Sequence, residues 1–207
     1  MVNLILDLDN TIYPVSSIGD RLFAPLFELL KLPEYNLPET TLADAKRQIM
    51  RIPFQKVADQ FKFPAELTHR ALELLRGLTY DEEMTYFNDY ELIRELDTMK
   101  FLLTTGFKNL QESKIRSLGI ENDFTEIVVI DPDKSEMTKK DAMVRIMDEY
   151  KLRATDLLVV GDDPESEIKA AKELGIASFL LDTKSIYPNS QADFNGKSLK
   201  EVLNYIE

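Results

Sequence analysis

Five short runs of apolar residues recur along this 207-residue chain, and each of them ends in a polar residue. The runs are continuous and do not alternate with polar positions, which is typical of strands buried on both faces of a parallel sheet. We therefore predict five buried strands. The runs are residues 2–6 before Asp7, 101–103 before Thr104, 127–130 before Asp131, 157–160 before Gly161 and Asp162, and 177–181 before Asp182.

Helical periodicity separates the later runs. Residues 108–118, 138–150 and 164–174 each place apolar side chains at helical spacing, and Gly119 and Gly175 follow two of these segments as helix stops. Strands that alternate with helices of this length form right-handed βαβ units. The predicted fold class is therefore α/β, with a doubly wound parallel sheet whose site lies at the carboxyl ends of the strands.

The segment of residues 14–80 has a different pattern. It has no comparable apolar run, and prolines separate several amphipathic stretches within it. We interpret it as a helical insertion after the first strand. The predicted domains are thus an α/β core, made of residues 1–13 and 81–207, and the inserted helical segment of residues 14–80.

Composition excludes several classes of function. The absence of cysteine excludes disulfides, thiolate catalysis and Cys-ligated zinc, and the single histidine, His69, excludes a multi-histidine metal site. We expect His69 on an exposed helix surface. The formal charge of −12 argues against nucleic acid and anionic membranes as partners. The sequence has neither a signal peptide nor an apolar run of about 20 residues, so we expect a cytoplasmic location.

Two acidic groups end predicted strands at the same edge of the sheet. Asp7 and Asp9 share one face of a strand at roughly 7 Å, where two carboxylates repel each other unless a cation or a proton lies between them. In the second group, Asp163 is explained as a helix N-cap, but Asp162 is not. A Mg²⁺ site with oxygen ligands accounts for Asp7, Asp9 and Asp162 together. The alternative for the first pair is a turn at a strand end.

Lys139 breaks a local rule of helix formation. Thr138 and Asp141 resemble a capping box, which places Lys139 in the first helical turn. A positive charge there opposes the helix dipole by roughly 0.3–1 kcal/mol. A residue that destabilises its own helix without a local compensation is a candidate functional residue. The alternative interpretation is that Lys139 and Lys140 are simply exposed to solvent.

Thr104, Thr105 and Gly106 lie between a predicted strand and a predicted helix. Hydroxyl groups and free backbone N–H groups at such a position suit a bound anion such as phosphate. The alternative is that Thr105 is a simple helix N-cap.

Four segments now resemble a known family when they are taken in order along the chain. DLDNT, LLTTG, a lysine that begins a helix, and VVGDDPESE resemble the motifs of the haloacid dehalogenase superfamily of phosphoryl-transfer hydrolases. The resemblance covers nearly the whole chain and implies a Rossmann-type core. The insertion of residues 14–80 is similar in position to the helical cap of that family. The opening DLDNTIYP is similar to the pyrimidine-nucleotidase-like branch.

The resemblance implies a Mg²⁺-dependent phosphatase that works through a phosphoaspartate. Asp7 would be the nucleophile and Asp9 the general acid, a residue that true haloacid dehalogenases lack. Thr104 and Lys139 would bind the phosphoryl oxygens, with Thr105 and Gly106 beside them. The Mg²⁺ ligands would be Asp7, Asp162 and the Asp9 carbonyl.

Three positions depart from the family pattern. Thr105 stands where asparagine is usual, and Glu167 stands where a second aspartate usually orients the metal shell. No proline follows Lys139, so Lys134 is an alternative for the catalytic lysine.

The implied substrate is a small phosphorylated metabolite, and we expect a monomer or a weak dimer. A phosphomutase needs the same residues and is the enzymatic alternative. A phosphoaccepting signalling module has its acidic residues in another order and has no long insertion after the first strand. Another alternative is a family member that binds a ligand without catalysis. The presence of the implied catalytic and metal-binding residues argues against this alternative; they are Asp7, Asp9, Thr104, Lys139 and Asp162.

Overall fold

The computed structural model describes residues 2–206 and places six parallel strands in one sheet. Five of them are the predicted apolar runs, and the sixth, a three-residue strand at the sheet edge, was not predicted. The order across the sheet is β3-β2-β1-β4-β5-β6, which confirms the doubly wound α/β arrangement. The strands are β1 (Asn3–Leu6), β2 (Lys100–Thr105), β3 (Glu126–Ile130), β4 (Leu157–Gly161), β5 (Ala177–Leu181) and β6 (Phe194–Gly196).

The sheet is covered on both faces, as continuous apolar runs require. In β1, Leu4 and Leu6 belong to one buried apolar layer, whereas Ile5 belongs to the other. These alternate directions follow from the two-residue period of a strand. Both layers exclude water from the sheet, so a polar group within it needs a hydrogen-bond partner, as Ser178 of the fifth strand has in Asp193.

Helices follow the strands much as the periodicity predicted. The segment predicted at 164–174 differs, because its first five residues, Pro164–Ile168, form a π-helical turn before the α-helix begins. A 3₁₀ helix at Leu199–Tyr205 follows the last strand. The helices of the core are α6 (Tyr90–Arg94), α7 (Lys108–Leu118), α8 (Lys139–Tyr150) and α9 (Lys169–Leu174).

The segment between β1 and α6 consists of helices and the turns that join them. Its apolar faces pack into the layer that contains Leu4 and Leu6. His69 is 69% exposed on one of these helices, as predicted. Within residues 2–206, no helix combines the length and the apolar character needed to cross a membrane. The helices of the insertion are α1 (Gly19–Leu22), α2 (Ala24–Leu30), α3 (Glu39–Ile49), α4 (Phe54–Phe61) and α5 (Ala65–Arg76).

The strand order reverses between β1 and β4. The chain passes from β1 outward to β2 and β3, and then returns to the other side of β1 to form β4. Leu6 and Val160 are paired at the ends of these two central strands. In doubly wound sheets, the crevice at such a switch point is where ligands bind. Asp7 and Asp162 follow the two strands directly and therefore lie at this crevice.

Candidate active site

Asp7, Asp162 and Glu167 form an acidic group at the switch point. One carboxylate oxygen from each lies within 4.8 Å of the others. Burial is the main cause that raises the pKa of Asp162 to about 9, and the charges of Glu167 and Asp7 add to it. Burial also raises the pKa of Asp7 to about 7. Without a cation, burial and mutual repulsion oppose the ionisation of these carboxylates. A divalent cation such as Mg²⁺, which prefers oxygen ligands, would stabilise their ionised form.

Lys139 supplies the positive charge of this group. Its Nζ lies 2.6 Å from Asp7 Oδ1 and 2.7 Å from Glu167 Oε2, and its side chain is 8% exposed. Burial alone would lower the pKa of Lys139, but the two carboxylates raise it, so the ammonium stays charged. Lys134, the alternative, is 68% exposed and lies 3.8 Å from Asp131. The structure therefore brings Lys139, and not Lys134, to Asp7.

The capping box predicted at the start of α8 explains how Lys139 is positioned. The Thr138 side chain accepts a hydrogen bond from the Asp141 N–H, and the Asp141 carboxylate accepts one from the Thr138 N–H. Lys139 is the first residue of the helix that follows. Its unfavourable position relative to the helix dipole is offset by the two carboxylates that it contacts.

Glu167 reaches the acidic group because β4 ends in a glycine. A Cβ atom at Gly161 would lie 2.1 Å from Glu167 Oε1, so no other residue leaves room for this side chain. The π-helical turn carries Glu167 back over the strand end, where its Oε1 accepts a hydrogen bond of 2.9 Å from the Asp163 N–H. Asp163 is the N-cap of that turn, as predicted, and accepts from the Glu165 N–H.

The Asp9 carboxylate belongs to a second polar group. Lys114 Nζ lies 2.8 Å and 3.1 Å from its two oxygens, Gln111 Nε2 donates to it at 2.9 Å, and the Tyr13 hydroxyl also donates to it. Burial would raise the pKa of Asp9, but the Lys114 charge and these hydrogen bonds lower it. The Asp9 carboxylate is not part of the acidic group of Asp7, Asp162 and Glu167. The metal ligand expected from Asp9 is its backbone carbonyl, and that expectation stays a prediction.

Gln111 links Asp9 to the end of β2. The Nε2 group of Gln111 donates to Thr104 Oγ1 at 2.6 Å, and both side chains are buried. Thr104 therefore lies at the site edge beside the general-acid candidate. The expectation of free backbone N–H groups is wrong for Gly106, because its N–H donates to the Ile130 carbonyl at 2.9 Å. Thr105 is the last residue of β2 and is not the N-cap of α7, which is Phe107.

Sequence reasoning missed Gln111 and Lys114 and left the role of Glu167 open. Gln111 and Lys114 are three residues apart on α7, and both are 2% exposed. Residues at this spacing share one face of a helix. These two residues could have been found from the sequence, because they are polar residues on the apolar face of a helix that follows a strand of the site.

Comparisons with known proteins show the family of the chain. A family model described as haloacid dehalogenase-like hydrolase matches residues 2–175. The chain belongs to the haloacid dehalogenase-like hydrolases. No curated protein matches the sequence.

Solved structures of other haloacid dehalogenase-like hydrolases have the same fold. The HAD-hydrolase YfnB of Bacillus subtilis, described bound to magnesium, is 16% identical with a TM-score of 0.71, over 99% of this chain and 98% of that one. A HAD phosphatase of Thermococcus onnurineus is 16% identical with a TM-score of 0.63, over 99% and 97%. The L-2-haloacid dehalogenase RSc1362 is 13% identical with a TM-score of 0.59, over 100% and 98%. The shared fold thus spans both phosphatases and dehalogenases.

Proposed function

We propose that this protein is a Mg²⁺-dependent phosphatase that hydrolyses a small phosphate monoester through a phosphoaspartate on Asp7. The observation that carries the proposal is the acidic group at the switch point, where carboxylate oxygens of Asp7, Asp162 and Glu167 lie within 4.8 Å of one another. A cluster of this kind serves a cation, and phosphoryl transfer depends on positive charge around the phosphoryl oxygens. The description of YfnB as magnesium-bound supports the same ion here.

In the proposed metal site, Asp7, Asp162 and the Asp9 carbonyl would hold Mg²⁺, with Glu167 beside them. When bound, the ion would stabilise the negative charge on the phosphoryl oxygens. Lys139 contributes positive charge to the same place, because its Nζ lies 2.6 Å from Asp7 Oδ1.

In the first step, a carboxylate oxygen of Asp7 attacks phosphorus and the bond to the ester oxygen breaks. The departing alcohol takes a proton from Asp9. In the second step, water attacks the phosphoaspartate, Asp9 takes a proton from that water, and phosphate leaves with Asp7 restored. Thr104 would donate a hydrogen bond to a phosphoryl oxygen from the end of β2.

Lys114 and Gln111 hold Asp9 in the form that the second step requires. Both Asp9 oxygens are within 3.1 Å of Lys114 Nζ, and the lowered pKa of Asp9 reflects that charge. An ionised carboxylate in this place is ready to accept a proton from water. For the first step, Asp9 must arrive protonated, so its proton has to be taken up before the ester bond breaks.

Hydrolysis of p-nitrophenyl phosphate tests the proposal. We expect turnover with Mg²⁺, loss of turnover in excess chelator, and no turnover by Asp7→Asn under either condition. Asp133→Asn is a matched control, since Asp133 follows β3 at the same sheet edge and contacts Arg76. Turnover that survives chelation would contradict the metal assignment.

Two further assays separate the alternatives within the same fold. Chloride release from 2-chloropropionate in the absence of phosphatase activity would indicate a dehalogenase. A phosphomutase would transfer the phosphoryl group to a second sugar hydroxyl in place of water. We expect inorganic phosphate as the product from every ester that is cleaved.

A further inference from the structure

A cavity of about 360 Å³ opens between the helical insertion and the acidic group. Because Asp162 lines it, a molecule in this space lies next to the proposed phosphoryl site, where the alcohol part of a substrate has to be. Its volume is at the lower end of the range for ligand pockets, about 300–1,000 Å³, and so fits a small alcohol. The lining residues are Gln48, Arg51 and Ile52 from the insertion, and Asp162, Asp163, Ile186 and Tyr187 from the core.

Arg51 is the cation that lines this cavity, and it has no carboxylate within 4.0 Å among residues 2–206. Arg47, one turn earlier on α3, is paired with Asp44. Arg51 Nη2 donates a hydrogen bond of 2.5 Å to the Tyr187 hydroxyl, which is an uncharged partner. A guanidinium has five N–H donors, so most of them remain for another acceptor.

The position of Arg51 is fixed from both sides. The Arg51 N–H donates to the Gln48 carbonyl at the end of α3, and the guanidinium carbon lies 5.7 Å from the Tyr187 ring centroid. On the other side, the Asp182 carboxylate accepts hydrogen bonds from the N–H groups of Ile186 and Tyr187 at 3.0 Å and 2.8 Å. The guanidinium is therefore held at the cavity before any ligand enters, which lowers the entropy cost of binding.

We propose that Arg51 binds a second anionic group of the substrate. The substrates are then small phosphate monoesters whose alcohol part also carries a carboxylate or a second phosphate. This inference rests on the proposed phosphatase function. The planar guanidinium matches either anion with paired hydrogen bonds, and the Gln48 amide lines the same wall of the cavity.

The charges that line the cavity favour a substrate whose second anionic group faces the helical insertion. The core wall carries the carboxylates of Asp162 and Asp163, whereas the insertion wall carries Arg51. In a protein with a net charge of −12, an anionic alcohol part is repelled over most of the surface and finds positive charge on this wall.

Matched pairs of esters test the inference. 3-Phosphoglycerate and glycerol 3-phosphate differ by a carboxylate in place of a hydroxymethyl group, and fructose 1,6-bisphosphate and fructose 6-phosphate differ by a second phosphate. We expect wild type to have the higher kcat/KM on the anionic member of at least one pair. The pair with the larger ratio identifies the second group as carboxylate or phosphate.

Arg51→Gln should lower that ratio by about 10–100-fold, mainly through a higher KM, because a charged hydrogen-bond donor is lost. Arg47→Gln, four residues before Arg51 in the last turn of α3, is the matched control and should leave the ratio unchanged. An equal loss by Arg51→Gln on both members of each pair would mean that Arg51 only fastens the insertion to Tyr187, and the inference would be wrong.

The outcomes also separate this inference from the proposed function. Hydrolysis by wild type without preference for an anionic member of either pair overturns the role of Arg51 and leaves the phosphatase proposal intact. If wild type hydrolyses no ester in Mg²⁺, p-nitrophenyl phosphate included, the phosphatase proposal fails and this inference fails with it.

Discussion

At the scale of single residues, Lys114 has a structural and a chemical consequence. Its side chain is 3% exposed and pairs with an Asp9 side chain that is 30% exposed. Lys114→Met should lower the free energy of unfolding by about 1.5–3 kcal/mol, because the Asp9 carboxylate loses a charged hydrogen-bond partner. Denaturant unfolding measures the loss.

The double variant Asp9→Asn/Lys114→Met tests whether that loss comes from the pair. It should recover much of the stability, because the carboxylate that needed a partner is gone. Lys108→Met serves as a control on the same helix, since its side chain is 54% exposed. Additive losses in the double variant would show that Lys114 does not act through Asp9.

The two aspartates of the first motif should differ in their effects on catalysis. Asp7→Asn should abolish turnover, because the nucleophile is lost. Asp9→Asn should slow it by about 10²–10⁴-fold on alkyl phosphates and much less on p-nitrophenyl phosphate, whose leaving group needs no proton. Steady-state kinetics on both esters measure the split. An equal loss on both esters would contradict Asp9 as the acid.

At the scale of elements, the end of β4 and the π-helical turn act as one unit. Gly161→Ala should displace Glu167, because the added Cβ would lie 2.1 Å from its Oε1. We expect weaker Mg²⁺ binding and lower thermal stability, both measured by unfolding with and without the ion. Gly77→Ala is the control, since its nearest contact would be the Leu74 carbonyl at 3.8 Å. Unchanged Mg²⁺ binding in Gly161→Ala would show that Glu167 is dispensable.

Strands and helices that are marked by an apolar run or a helical periodicity in their own residues were predictable from the sequence. The run at 177–181 became β5 with the same bounds, and the segment at 108–118 became α7. Strand β6 was missed because its three residues, Phe194–Gly196, contain no apolar run and pair only with the neighbouring strand. The π-helical turn was missed because its sequence has ordinary helix-start signals.

The candidate site was predictable where residues directly end strands, and at Lys139, whose place in the first turn of α8 opposes the helix dipole. Asp7 and Asp162 follow β1 and β4, so the topology alone brings them together. Gln111 and Lys114 reach Asp9 from the middle of a helix across more than 100 residues of sequence. That contact depends on how α7 packs on the sheet, which residue spacing does not specify.

At the scale of the whole molecule, stability without metal should depend on pH. The pKa values of Asp7 and Asp162 are raised from 3.8 to about 7 and about 9, so the folded protein binds protons that the unfolded chain releases. In chelator, the free energy of unfolding should therefore fall as pH rises from about 5 to about 9, by at most about 1.4 kcal/mol per pH unit per proton.

Thermal unfolding at several pH values measures this dependence. Mg²⁺ at about 100 times its Kd should add roughly 2.7 kcal/mol and should do so most effectively at high pH, where the carboxylates are ionised. Asp162→Asn should flatten the pH profile in chelator. A melting temperature that rises with pH in chelator, over the same range, would contradict the raised pKa values of Asp7 and Asp162 in the folded protein.

The covalent phosphoenzyme is the central claim, and borohydride trapping tests it most directly. Borohydride reduces an acyl phosphate to an alcohol, so reduction during turnover with Mg²⁺ should convert Asp7 to homoserine, detected by mass spectrometry of the peptide that contains residue 7. The conversion should be absent without substrate and in Asp7→Asn. An enzyme that turns over phosphate esters while Asp7 stays unmodified, or while another carboxylate is reduced, would contradict the mechanism.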